Sequence, residues 1–342
     1  MPEIELTGAN ALTFPTLTTW GWEIAAYLFL GGLVAGLLVF AGVIRLANAP
    51  RFERALRVSD LAGLPLLGVG MFLLFLDLSN KSNVWRFYTT FQVTSVISWG
   101  AWILLATMVV LVLRFVARVH VALERDWRLE IGETKRKSAI AKLKSAIRSF
   151  LFAIVRFVVW TWNVAVSIGA WAKRHDRALA LAGVVLGIGV GFYTGVFLST
   201  LAARPLWNSA VLAPLFLISG LASGGAFLCL LISEDEHKRL VPFSLMMCGV
   251  ELVLLLAYAI NLVFGTDAAQ RAGSILLGGA FGIVFWGLVV LLGLLVPATV
   301  EGLELLHRRV PLIPARMPPI LKLSGSLALR FAIVYAGLLS FV

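Results

Sequence analysis

None of the four histidines of this 342-residue chain, His120, His175, His237 and His307, falls inside a long apolar run. Membrane subunits that carry electrons on b-type haem ligate the iron with histidine inside the bilayer. Haem is therefore not an expected tenant. Cysteine is nearly as scarce. Cys229 and Cys248 stand alone in apolar runs, with no C-x-x-C spacing, which excludes an iron–sulfur cluster or structural zinc held by this chain itself. They read as small core hydrophobes. A basic leader with a short apolar stretch and a small-residue cleavage site is also missing, so no cleaved signal is expected and the first apolar run stays as a span. Acidic residues are outnumbered, 18 against 29 Lys and Arg, for a net charge of +11.

What is present is apolar surface. The chain is 60% hydrophobic with a mean hydropathy of +0.94, beyond the range of a soluble globule. A spanning helix needs about 20 apolar residues. Eight stretches qualify: Trp22–Ile44, Leu61–Asp77, Val93–Leu113, Leu179–Ser199, Ala210–Ile232, Val241–Phe264, Ser274–Val296 and Ser324–Val342. The fold class is an all-α integral membrane protein with eight transmembrane helices. Of the 29 cations, 24 fall in connections on one side of this topology, four on the other, and one, Arg330, lies in the last helix. The positive-inside rule then puts both termini outside, periplasmic in a bacterial inner membrane. The net charge follows from this asymmetry, so nucleic acid is not an expected partner. Phe150–Trp171 is apolar enough to tempt a ninth span, interrupted by Arg156 and Asn163. Were it to cross, the later basic loops would face out, so the reading is an amphipathic or interfacial helix at the cytoplasmic surface.

The expected organisation is a periplasmic arm (1–21), the first three spans (22–118), a basic cytoplasmic insertion (119–177), the fourth span (178–199) and a second bundle holding spans five to eight (200–342). FLGGLVAG (Phe29–Gly36) in the first span and LISGLASG (Leu217–Gly224) in the fifth echo one another, with glycines at i and i+4, and Gly278/Gly282 repeat that spacing. Such glycines let helix backbones approach closely.

An ionisable group inside a bilayer costs about 2.5–3.5 kcal/mol on insertion scales. Glu23 and Tyr27 share a face of the first span, one turn apart. Asp77 closes the second span at the same outer level, and Tyr193 lies in the outer third of the fourth. These four groups have hydrogen-bonding or proton-transfer capacity. Glu251 lies near the middle of the sixth span, with Arg330 one to two turns inside the eighth. Plainer readings stand beside these: Glu23 solvated at the boundary, Asp77 capping its loop or paired with Lys81 or Arg86, packing tyrosines, and Glu251–Arg330 as a structural ion bridge. Trp20, Trp22, Trp85, Trp99, Trp102 and Trp207 read as an outer aromatic belt.

The strings YLFLGGLVAG (Tyr27–Gly36), FLDLSN with a following tryptophan (Phe75–Trp85), SWGAWIL (Ser98–Leu104), YTGVFLSTLAARPLWNS (Tyr193–Ser209), LFLISGLASGGA (Leu215–Ala226) and LRFAIVYAG (Leu329–Gly337) resemble the NrfD/PsrC family of quinone-interacting membrane subunits. The resemblance runs through all eight spans in order. It implies two four-helix bundles and a quinone site, for menaquinone or ubiquinone, near the periplasmic end of the first. Tyr193 would hydrogen-bond a quinone carbonyl, with Glu23 and Tyr27 as first-span contacts, where the family's better-known pattern has an amide and a histidine. Asp77 and Arg330 match recurrent polar positions. The implied partners are a periplasmic, ferredoxin-like iron–sulfur subunit and, through it, a molybdopterin or multihaem catalytic subunit. The surfaces around Lys81–Phe91 and Arg204–Ser209 are the expected docking faces, and Glu251 with Arg330 a possible proton path. A secondary transporter with repeated halves and a purely structural membrane anchor are the competing readings.

Overall fold

The structure, a computed structural model, describes residues 20–78, 80–130 (backbone alone for 120–130), 167–201, 203–306, 314 and 316–340. The interfacial helix expected at 150–171 lies outside the described residues except for its end, where 167–174 are helical. Among the described residues, besides the stretch 167–174, ten helices follow one another: α1 (Trp22–Leu46), α2 (Glu53–Asp77), the short α3 (Arg86–Thr89), α4 (Val96–Glu130), α5 (Asp176–Ser199), α6 (Leu212–Leu231), α7 (Glu234–Phe264), the short α8 (Asp267–Leu277), α9 (Val284–Leu305) and α10 (Met317–Leu339). All but α3 and α8 are long and apolar enough to cross a membrane, eight in all among the described residues.

Spans one to six match expectation, although α2 and α7 start a turn or more earlier. The seventh does not. Gly278 and Gly279 stand in a turn that ends at Gly282, because glycine carries the largest entropy penalty in a helix. The polypeptide therefore splits into α8, capped by the Thr266 hydroxyl accepting from the Ala269 N–H at 3.3 Å, and α9, which begins at Val284. Residues Val284–Leu295 of α9 are wound as a π-helix. The Gly278/Gly282 spacing is consequently a turn feature and no helix contact. The eighth span starts at Met317 instead of Ser324. This places Arg330 thirteen residues along α10, about 20 Å from its start, well beyond one to two turns.

α1 has no polar stripe, and it is packed all round, against α2, α5, α6 and α10. Its echo of α6 has a physical meaning: the two strings touch. A methyl on Gly36 would stand 2.5 Å from the Gly220 carbonyl oxygen and 2.9 Å from Gly224 Cα. Nothing larger than hydrogen fits at this crossing. With no hydrophobic drive between helices in lipid, such close backbone packing is what holds them.

The connection between α5 and α6 is folded into the protein. Trp207 is fully buried and its indole N–H donates to the Ile333 carbonyl on α10 at 2.8 Å. Arg204 donates to the Leu338 carbonyl at 2.5 Å, and the Tyr258 hydroxyl of α7 donates to the Leu206 carbonyl at 2.6 Å. Trp207 therefore leaves the outer aromatic belt, and Arg204–Ser209 is an internal clasp, with only Asn208 of that stretch turned outward. Trp22, Trp85, Trp99 and Trp102 do lie on the surface.

At the opposite end from the α2–α4 connection, charges tie the spans together. Asp60 of α2 receives Arg45 of α1 at 2.5 Å and Arg118 of α4 at 2.9 Å, and Arg114 of α4 meets Asp176 of α5 at 2.6 Å. The Glu236 carboxylate of α7 accepts the Arg54 and Ala55 N–H groups at 3.1 Å each. It satisfies donors that the first turn of α2 leaves without helical partners.

Candidate functional site

A cavity of about 490 Å³ opens among α1, α2, α4 and α5, beneath the α2–α4 connection. Its walls are apolar: Ile24, Leu28, Met71, Leu74, Phe75, Ala101, Leu104 and Phe197. Four polar side chains interrupt them. Tyr27 comes from α1, Asp77 from the end of α2, Tyr88 from α3 and Tyr193 from α5. Tyr27 is 5% exposed and faces Tyr193 and Tyr88. Burial raises the Tyr88 phenol above its ordinary range, so it stays protonated and able to donate. Tyr193 reaches the cavity because α4 carries glycine opposite it: a methyl on Gly100 would fall inside the Tyr193 ring. Outward from Tyr193 the rings continue through Phe197 at 6.2 Å, Trp20 at 5.8 Å from Phe197, and Trp207 stacked 5.3 Å from Trp20. An apolar pocket of this size with a few convergent polar groups is the usual form of a small-molecule site.

Deeper in the protein the polar groups form a second system. Arg330, 1% exposed, donates to the hydroxyls of Ser219 and Ser326 and to the Phe216 carbonyl, and lies 5.0 Å over the Phe216 ring. Its Nε alone has no partner among the described residues. Glu251, also buried, lines a small hollow with Ser326 and Lys322 and makes no ion pair with Arg330 among the described residues. Nearer the opposite end, Lys322 donates to both Glu301 oxygens at 2.6 Å and to Ser244 at 2.5 Å, all of them buried. Lys322 is thus a buried partner inside α10 and no loop cation. Buried polar groups are accordingly spread through the depth of the protein.

A family model described as "Polysulphide reductase, NrfD" matches residues 12–342. The chain belongs to the NrfD family. It is 29% identical to Protein NrfD of Escherichia coli strain K12, over 98% of this chain and 99% of that protein. It is 28% identical to a polysulfide reductase chain of Wolinella succinogenes, over 93% of the present protein and 94% of that relative. A selenate reductase subunit of Mesobacillus selenatarsenatis is 23% identical over 87% of the present protein and 70% of its own length. With eight apolar helices, this NrfD-family protein is a multi-pass membrane protein.

The motifs that carry the NrfD resemblance now have places. Tyr27–Gly36 supplies one chamber hydroxyl and the α1–α6 contact. Tyr193–Ser209 supplies a second hydroxyl and the Trp207 clasp, and Leu329–Gly337 supplies Arg330 and the clasp's acceptor. The structure brings Tyr27, Asp77 and Tyr193 to one cavity. Glu23 is half-buried one turn from Tyr27 and does not line it. Asp77 makes no ion pair among the described residues, since Lys81 donates to the Leu78 carbonyl at 3.2 Å and Arg86 lies 5.7 Å over Trp85. Glu251 and Arg330 belong elsewhere. Arg330 meets α1 at Gly32, five residues from Tyr27 and about 140° round the helix. Sequence reasoning missed Tyr88, whose position eleven residues after Asp77 was its signal. It also missed Asp60, Glu301 and Lys322, which fell outside the expected span limits.

Proposed function

We propose that this chain is the membrane subunit of a respiratory reductase-type complex and that its chamber binds quinone or quinol, menaquinone or ubiquinone. The observation that carries the reading is the convergence of Tyr27, Tyr193, Tyr88 and Asp77 on one apolar cavity. A bound quinol supplies two electrons and two protons on oxidation, and a quinone takes up the same number. Tyr27 and Tyr193 hydrogen-bond the two headgroup oxygens from opposite helices. Asp77 accepts or returns a proton at its carboxylate, with Glu23 one step further out. The apolar walls keep bulk water off these groups. Electrons pass to a redox centre owned by another polypeptide: a periplasmic, ferredoxin-like iron–sulfur subunit and, through it, a molybdopterin or multihaem catalytic subunit. The names of the relatives, parts of polysulfide and selenate reductases, support assembly of this kind. In this reading the membrane is the bacterial inner membrane and the chamber end, poor in Lys and Arg, faces the periplasm. Spans one to four form one bundle and spans five to eight the second. Glu251 and Arg330 form part of a proton path from the cytoplasm. Replacing Glu251 by Gln with no change in proton stoichiometry would remove that last element.

The test is calorimetric titration of the purified protein with a short-chain naphthoquinone. Binding is expected, weakened about 2- to 13-fold by Tyr193→Phe or Tyr27→Phe, the equivalent of one hydrogen bond. Affinity unmoved by both substitutions together, or uptake of a solute by the isolated protein in vesicles with no quinone binding, would overturn the reading.

A further inference from the structure

A second cavity, of about 440 Å³, lies against the chamber in the α2–α4 connection. Its lining carries more polar side chains, Asn80, Asn83, Arg86, Thr90, Gln92 and Ser95, beside apolar ones. The segment is largely non-helical, and Gln92 N–H and Ser98 N–H are held by serine hydroxyls at 3.1 and 3.4 Å. Irregular backbone of this sort sits outside the hydrocarbon of a bilayer or against water. The two hollows have three residues in common, Leu78, Phe87 and Ile97, all apolar. Phe87 of α3 borders both hollows and is 39% exposed. Tyr88, its neighbour in α3, enters the chamber only.

We infer that the polar cavity is the water-side port of the chamber and that Phe87 is the partition between them. The inference rests on the reading of the chamber as a quinone site. Each two-electron turnover there exchanges two protons with water, and the electrons leave to the partner's redox centre. The few ionisable groups of the chamber must exchange these protons with water, and Asp77, half-buried, stands at its outer end. The port lies one side chain away from Asp77 and Tyr88, and Leu78, Phe87 and Ile97 are the barrier that keeps water and small ions from flooding the headgroup site. Phe87 is thereby a positioning residue: it touches both spaces and sets how readily water passes.

The experiment measures access with a charged thiol reagent, sulfonatoethyl methanethiosulfonate, on the full-length protein in lipid nanodiscs. The native Cys229 and Cys248 are buried, and the unsubstituted protein measures their background. Gln92→Cys reports the port and Ala101→Cys the chamber. With Phe87 intact, the port cysteine is expected to react at least about tenfold faster than the chamber cysteine. Phe87→Ala raises the chamber rate by about tenfold and leaves the port rate unchanged, and the milder Phe87→Leu falls between. An unchanged port rate in the same protein also shows that the loop has kept its fold. Equal rates at both positions with Phe87 present, or a chamber cysteine still protected after Phe87→Ala, overturn the inference. Addition of the short-chain naphthoquinone separates the two readings. Protection of Ala101→Cys in the Phe87→Ala protein supports both, whereas opening without protection upholds the partition and defeats the quinone reading.

Discussion

Gly100→Ala is expected to act on the chamber through a residue of another helix. The added methyl falls inside the Tyr193 ring, against its outer atoms Cζ, Oη and Cε2. Those atoms belong to the free end of a side chain, so the ring turns aside and α4 and α5 keep their spacing. Helix propensity works in favour of the substitution by about 0.5–1 kcal/mol, which offsets part of the local crowding and leaves thermal stability nearly unchanged. Ligand affinity does change. If Tyr193 contributes one net hydrogen bond of about 0.5–1.5 kcal/mol, its loss weakens naphthoquinone binding about 2- to 13-fold. Because both substitutions remove the same contact, Gly100→Ala in a Tyr193→Phe background should add almost nothing, the signature of coupled sites in a double-mutant cycle. Isothermal titration of the four proteins, with melting temperatures alongside, is the assay. Wild-type affinity in Gly100→Ala beside a weakened Tyr193→Phe would refute the steric link. Full additivity of the two would do so as well.

Three further outcomes test the frame around the chamber. Lys322→Met leaves the Glu301 carboxylate buried without its cation and should cost about 3–5 kcal/mol, while Lys322→Met with Glu301→Met recovers most of the loss; denaturation in mild detergent distinguishes them. Gly36→Ala forces α1 from the backbone of α6 and should destabilise by about 1–3 kcal/mol, whereas Gly68→Ala, with nothing within 4 Å of the new methyl, should be neutral in the same melt. Glu236→Ala removes the acceptor for two N–H groups at the start of α2 and should cost about 1–2 kcal/mol, with hydrogen exchange at Arg54 and Ala55 rising first.

Much of this was legible from residue order, and the failures share a cause. Apolar length found all eight spans, because the bilayer imposes one scale on every helix. It set their ends poorly wherever a charge was buried by pairing. Asp60 and Lys322 looked like loop residues, since hydropathy records the cost of a lone charge and is blind to the Arg45 or Glu301 that neutralises it. The seventh span drifted for the opposite reason: Gly278 and Gly279 count as apolar but stand where the helix breaks. The chamber residues were found through side-chain chemistry at matching depths, which places Tyr27, Asp77 and Tyr193 on one level. Glu23 shares that depth but not the direction. Trp207 was misread because an indole in a connection looks like an interface residue until its N–H partner on α10 is known.

The division of labour along the membrane normal follows from these contacts. At the chamber end the polar groups are phenols and a carboxyl without ion-pair partners among the described residues, open to a ligand. At the opposite end the cations and anions bind each other: Arg45, Arg114 and Arg118 with Asp60, Asp176 and Glu53 among α1, α2, α4 and α5, and Lys322 with Glu301 between α10 and α9. Paired charges lock the spans at that end, and that rigidity lets the chamber end keep unpaired groups aimed inward without collapse. Between the two, Arg330 is a buried cation held by two hydroxyls and two backbone carbonyls, with its Nε unpartnered among the described residues. It stands where α1, α6 and α10 meet at the glycine crossing. Its hydrogen bonds can rearrange without first breaking an ion pair. If motion passes between the chamber and the second half of the protein, Arg330→Met should abolish that coupling while leaving quinone affinity at its wild-type value. Loss of affinity in that variant would instead place Arg330 in the chamber's own support.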